Sequence, residues 1–140
     1  MKHVAVCALS IIAAIASVAS TAAPSAWAAV DQAIGRKGAE QPGGVYKYSF
    51  PRSVAISINF EPTGAGKAAV TGDFVLVGSE VNPVLKTLRD NGIEVTALHS
   101  HMIDDTPHLY FMHFWANADA QKLAQGLRAA LDHVSIARER

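Results

Sequence analysis

Alternation of apolar and polar positions dominates the middle of the chain. Between residues 45 and 77, three runs rich in β-forming residues are separated by Pro and Gly, and within 54–60 the apolar side chains recur at every second position. A period of two places such side chains on one face of a strand. We therefore predict strands over 45–50, 54–60 and 68–77, the last two forming a hairpin.

Helical spacing replaces this alternation in three places. A short helix is predicted over 30–38, ending at a glycine. A longer one is expected to begin with Ser79 as its N-cap and to stop at Asn91–Gly92. The last helix should begin at Asn117 or Asp119. The apolar stripes of the two longer helices are Val81, Val84, Leu85 and Leu88, and Leu123, Leu127, Leu131 and Val134.

Two more strands lie between these longer helices. The pattern predicts them over 93–101 and 107–115, joined by a loop over 102–106. The element order is then α-β-β-β-α-β-β-α. Antiparallel runs combined with helices of matching apolar stripe indicate an α+β fold, a two-layer sandwich with a mainly antiparallel sheet packed by two or three helices.

The first 28 residues carry a different signal. Lys2 precedes an apolar run over 4–18, and Ala26-Trp27-Ala28 supplies small residues at a cleavage site. This pattern predicts a signal peptide over 1–28, leaving a single exported domain over 29–140 that is periplasmic or extracellular. A membrane anchor is the weaker interpretation because the run is rich in Ala and Ser, so we expect no stable membrane insertion after cleavage.

Charge and cysteine content narrow the function classes. The 12 Lys and Arg balance the 12 Asp and Glu, whereas nucleic-acid-binding domains carry a basic excess, so we expect no nucleic-acid partner. Loss of the signal peptide removes Lys2 and the single cysteine, Cys7, and leaves a net charge of −1. Disulfides and thiolate ligands are therefore not expected in the mature domain.

Four histidines, His99, His101, His108 and His113, fall within 15 residues. His99 and His101 are two apart on a predicted strand, so they should share a face with Cα atoms about 6.6 Å apart. His108 and His113 are five apart on the next strand and should face opposite sides, so only one joins the pair unless a bulge intervenes. The strand register decides which, and we favour His108 because near the turn it would lie opposite His101.

Imidazoles converging in this way favour a site for a borderline metal ion, zinc or copper. Asp104, Asp105 and Glu94 are candidate oxygen ligands, supporting partners or general bases. Met102 and Met112 would favour copper over zinc by their softness. The alternatives are a metal-free ligand or catalytic site, and histidines held by structural hydrogen bonds.

Other polar residues are expected to be structural. Asp73 and Glu80 are predicted to be surface or capping residues, and Ser100 should face away from its two histidine neighbours. The glycine-rich segment 64–67 lacks the spacing of a phosphate-binding loop and is predicted to be a hairpin turn.

Several stretches resemble one protein family over nearly all of residues 30–134. This similarity is to the LppY/LpqO family, exported bacterial proteins with a domain of uncharacterised function. It implies export and a small α+β domain, and it implies no established reaction. The stretches that carry it are Gly43–Arg52, Val70–Val75, Glu80–Pro83, Gly92–Met102 and Tyr110–Trp115.

The chain departs from the family pattern in two places. The connection over 52–56 is short where the family has a longer loop, so a site lined by that loop would be more open or damaged. Ser100 stands where the family often has Asn. The domain is also present in one copy, whereas family members often have two.

The sequence thus predicts an exported binding module that holds a metal ion or small ligand at His99, His101 and either His108 or His113. One alternative is a periplasmic hydrolase, metal-dependent or not, that uses the same histidines. Another is a non-catalytic structural protein of the envelope. The oligomeric state stays open.

Overall fold

The computed structural model describes residues 27–51 and 56–135. The predictions for the signal peptide, the 52–55 connection and the last five residues lie outside this part of the chain. The helices are α1 (Ala28–Ile34), α2 (Gly78–Asp90) and α3 (Ala120–Leu131), with a 3-10 turn at Pro42–Gly44. The strands are β1 (Ala39–Glu40), β2 (Tyr46–Phe50), β3 (Ile56–Gly64), β4 (Lys67–Val77), β5 (Glu94–His99) and β6 (Leu109–Asp119).

The six strands form one sheet in the order β1-β2-β3-β4-β6-β5. Every neighbouring pair is antiparallel. The first four strands follow one another across the sheet, α2 then crosses to β5, and β6 returns between β4 and β5. The helices pack on the sheet, which confirms the predicted α+β class. None of the helices in the described residues is long and apolar enough to cross a membrane.

The start of α2 differs from the prediction. Val77, not Ser79, is the N-cap residue. The carboxylate of Glu80 does the capping, because its Oε2 accepts a hydrogen bond of 3.0 Å from the Val77 backbone N–H. Its Oε1 accepts another of 3.0 Å from the Ser135 N–H, so Glu80 is a buried capping residue.

Two other helix ends test the sequence pattern. The side chain of Asp119 accepts a hydrogen bond from the Lys122 N–H at 2.8 Å, so Asp119 rather than Asn117 caps α3. The first helix ends at Ile34 and not at Gly38, because Gly35 adopts the left-handed conformation that closes a helix. Gly38 instead lies against aromatic rings, where an added Cβ would be 2.5 Å from the Tyr46 ring.

One hydrophobic core fills the space between the helices and the sheet. Most residues of the predicted apolar stripes are fully buried in it, and Val81 and Leu85 pack against its margin. A buried hydroxyl joins the two layers, since Tyr48 on β2 donates a 2.7 Å hydrogen bond to Oδ1 of Asp31 on α1. The pKa of Tyr48 is raised well above its ordinary range. Burial is the largest cause, and the hydrogen bond to Asp31 is the second.

The two central strands are the longest, at 11 residues each, and they pair along their whole length. Gly72 on β4 pairs with Phe114 on β6 and with Ile58 on β3. A Cβ at position 72 would lie 2.2 Å from the Ser57 carbonyl oxygen and 2.7 Å from Cζ of Phe114. The missing side chain therefore leaves the room in which the Phe114 ring packs.

Replacing Gly72 with alanine should therefore destabilise the fold. Because the new methyl group meets both backbone and a packed ring, we expect Gly72→Ala to lower the free energy of unfolding by about 1–3 kcal/mol. Urea denaturation of the purified protein measures this. Gly78→Ala is the matched control, because the nearest atom to its new Cβ is 3.8 Å away and alanine suits a helix. Equal stability of the two variants would contradict the proposed packing.

Candidate functional site

The sheet has a second face, opposite the helices, which we call the open face. Cross-strand partners line up there in rows that run perpendicular to the strands. The aspartate row contains Ser49, Ser57, Asp73, His113 and Ala97. The tryptophan row beside it contains Lys47, Asn59, Thr71, Trp115 and Glu94. On the other side, Val75 pairs with Phe111, and Phe111 pairs with His99.

A one-residue bulge in β5 places His99 on the open face. Val95 pairs with the buried Phe114, but the next pair in the ladder is Ala97 with His113, so Thr96 is the extra residue. Without the bulge, the alternation would carry His99 to the helix-covered face. The spacing of apolar residues over 93–101 does not reveal this bulge.

Three imidazoles and a phenyl ring stack together at this end of the open face. The ring centroids of His99 and His113 are 5.1 Å apart, and those of His99 and His101 are 5.0 Å apart. His101 also lies flat on Phe111, with 3.7 Å between the centroids. The Nε2 atoms of His99 and His101 are only 3.0 Å apart. We call His99, His101 and His113 the histidine cluster.

The preference for His108 as the third histidine is wrong. The β5–β6 register brings His113 beside His99, because Ala97 pairs with His113. His108 instead lies 2.8 Å from the Asp105 carboxylate, measured from Nδ1 to Oδ1. Its ring packs edge-on against Tyr110, which lies on the core side of β6.

Asp73 is the site residue that the sequence analysis missed. Its Oδ1 is buried, makes no hydrogen bond within the described part of the chain, and lies 3.8 Å from Nδ1 of His113. Burial raises the pKa of this carboxyl, and the three nearby imidazoles act in the opposite direction. The sequence predicts Asp73 to be a surface or capping residue, since nothing local to β4 reveals that His113 is its cross-strand partner.

Most of the other candidate ligands lie elsewhere. Met112 is fully buried on the core face, so it cannot act as a ligand on the open face. Glu94 pairs with Trp115 in the tryptophan row. Asp105 accepts a hydrogen bond from the Leu109 N–H at 3.0 Å as well as contacting His108. Met102 and Asp104 are exposed in the loop that follows His101.

The hydroxyls near the cluster are poorly placed for nucleophilic catalysis. Ser100 Oγ is 2.9 Å from the Leu109 carbonyl oxygen and 3.0 Å from that of Met102, so backbone acceptors hold its proton. In the aspartate row, Asp73 stands between Ser57 and His113. A serine nucleophile needs the imidazole next to it and the carboxylate behind, which is the opposite order.

The histidine cluster offers imidazole nitrogens close to a half-buried carboxylate. In the conformation described, no group of three or more His, Cys, Asp or Glu side chains within residues 27–51 and 56–135 is arranged to hold a metal ion. The rings stack instead, so a third nitrogen can reach a shared ligand only after a side-chain rotation. The loop over 100–108 leaves His99 and His101 exposed to such a ligand.

Comparison with known proteins gives one match. The sequence model of a family described as "Domain of Unknown Function (DUF1259)" matches residues 28–133. No curated protein and no solved structure matches the chain.

Stacking on Phe111 should be visible in the NMR spectrum of His101. Because the two rings lie face to face, we expect the His101 ring protons to be shifted upfield, and Phe111→Leu should remove most of that shift. Trp115→Leu is the matched control, an exposed aromatic residue four positions beyond Phe111 on the same face of β6. An unchanged His101 spectrum in Phe111→Leu would show that the rings do not stack.

Proposed function

We propose that this chain, which belongs to the DUF1259 family, is a binding domain that holds a transition-metal ion, zinc or copper, at its histidine cluster. Neutral imidazoles suit both metals, and the described part of the chain contains no cysteine that could supply a thiolate. The ion would lie on the open face, reached from solvent.

The spacing of two nitrogens carries this proposal. Two imidazoles bound to one tetrahedral zinc ion, each at roughly 2.0–2.1 Å, have nitrogen atoms about 3.3 Å apart. The Nε2 atoms of His99 and His101 are 3.0 Å apart without an ion. Without an ion, one of these two nitrogens must carry a hydrogen and donate it in a hydrogen bond to the other nitrogen. A metal ion could replace this hydrogen once the two nitrogens move a few tenths of an ångström apart and the rings turn so that both lone pairs point to the ion.

His113 would supply the third nitrogen. Its Nδ1 lies 3.8 Å from Oδ1 of Asp73, so a small movement would let a hydrogen on Nδ1 bond to that carboxylate and leave Nε2 with the free lone pair. Metal-bound histidines commonly have such a carboxylate or carbonyl partner, which fixes the tautomer and the ring orientation. Asp73 would thus act as a positioning residue, without contacting the ion.

Met102 bears on the choice between the two metals. It follows His101 directly and its side chain is 64% exposed, so the thioether is free to move toward the cluster. A thioether is a soft ligand that favours copper in its reduced state over zinc. Met102→Leu therefore separates the metals, since it should weaken copper binding and leave zinc binding unchanged.

Four predictions from the sequence stay predictions. They are a hydrolase activity, a structural role in the envelope, the similarity to the LppY/LpqO family, and export. A metal-free ligand at the same histidines is the nearest competitor to the metal site. Titration with the metal alone distinguishes these two versions of a binding domain.

Zinc titration followed by calorimetry tests the proposal. We expect one zinc ion per chain, and we expect His99→Ala, His101→Ala and His113→Ala each to weaken binding by at least about a hundredfold, because each removes a direct ligand. His108→Ala and His133→Ala are the matched controls and should retain the affinity of the unmodified protein. Equal losses in cluster and control variants, or absence of both zinc and copper binding, would rule the metal site out.

Substitution of Asp73 tests the positioning role separately. Asp73→Ala should weaken zinc binding by about 10–100-fold, because His113 loses the group that orients it. Asp73→Asn should recover part of that loss, since its amide oxygen can accept a hydrogen bond from Nδ1 when His113 binds the ion. Urea denaturation without metal is the control for folding. If both variants bind zinc like the unmodified protein, Asp73 has no such role.

A further inference from the structure

Trp115 is the largest exposed hydrophobic side chain on the open face. It lies on β6, two residues beyond His113, and 49% of it is exposed. Its cross-strand partners are Thr71 on β4 and Glu94 on β5, neither of which covers an indole. The Trp115 indole therefore gives the chain a flat aromatic surface that is exposed to solvent. This surface is separate from the histidine cluster.

Hydrogen-bonding side chains flank this surface. Asn59 and Thr71 come next in the tryptophan row, and Lys47 and Glu94 stand at its two ends. Neighbouring strands are about 4.8 Å apart, so the five side chains span roughly 19 Å across the sheet. The Asn59 amide nitrogen lies 3.5 Å from the Thr71 carbonyl oxygen, which directs the amide along the row.

A shallow depression lies between this row and the next one, in which Glu61 pairs with Ala69. It has a volume of about 140 Å³ and is lined by Asn59, Glu61, Thr71, Trp115 and neighbouring apolar residues. Sites for drug-sized ligands run to roughly 300–1,000 Å³. The depression is therefore large enough for a single ring of a longer ligand, with the rest lying along the row.

The chemistry of the row selects among ligand classes. A nucleic acid would meet the carboxylates of Glu61 and Glu94 on the two sides of Trp115, which repel phosphate. A peptide strand pairs with a sheet edge, whereas this row crosses the middle of a face. A pyranose ring has an apolar face that stacks on an indole and a rim of hydroxyls that bond to amide, hydroxyl and carboxylate groups.

We infer that the tryptophan row is a second binding site, for a neutral oligosaccharide, with one sugar ring stacked on Trp115 and hydroxyls bonded to Asn59, Thr71 and Glu61. This site needs no metal ion. It is therefore independent of the function proposed for the histidine cluster. An experiment can contradict one of the two proposals and leave the other unaffected.

Titration of the full chain with two neutral trimers, β-1,4-linked N-acetylglucosamine and β-1,4-linked glucose, tests this inference. The protein also contains Trp27, which stacks on Tyr46 at a ring-centroid distance of 5.2 Å and provides an internal reference. With at least one trimer we expect saturable movement of the Trp115 indole N–H signal in the NMR spectrum, while the Trp27 signal stays in place.

Three variants make the result decisive. Trp115→Ala should weaken binding by about tenfold or more, and Trp115→Phe should keep part of the affinity because a ring remains. His99→Ala should bind the trimer like the unmodified protein, since the histidine cluster is a separate site. Thermal denaturation confirms that the variants fold. Absence of saturable movement with both trimers, or unchanged affinity in Trp115→Ala, would overturn the inference.

Discussion

The antiparallel register between β4 and β6 is the constraint on which the rest of the structure depends. It is fixed from the core side, where Phe114 occupies the room left by Gly72 and no side chain fits between them and the Ser57 carbonyl. A shift of one residue would bring a different residue beneath the ring and turn every side chain of β6 to the other face. The same register therefore determines which polar groups meet on the open face, with Asp73 next to His113.

The apolar pattern predicted much of the fold, because burial repeats at short intervals along each element. Phe60 and Leu88, for example, occupy the core positions that their spacing predicts. Helix starts were harder to predict, since any polar side chain near a helix start can cap it. At α2, Glu80 reaches back to Val77, and this makes the hydroxyl of Ser79 unnecessary.

The candidate site was predicted only in part, for a different reason. His99 and His101 share a face in either register, so their closeness follows from local spacing. The choice of His113 over His108 depends on the bulge at Thr96 and on a pairing across strands. Asp73 joins the cluster only through β4–β6 pairing, which links residues far apart in sequence. No local pattern around Asp73 encodes that contact.

The place of β6 between β4 and β5 has a consequence for the order of folding. The hairpin of β3 and β4 joins neighbouring segments, whereas β6 must insert between strands that α2 separates in the chain. Contacts between distant segments carry the larger loop-closure entropy and tend to form late. The approach of His113 to Asp73 thus belongs among the late events of folding. An intermediate that has only the first four strands would have the hairpin, but it would lack the histidine cluster.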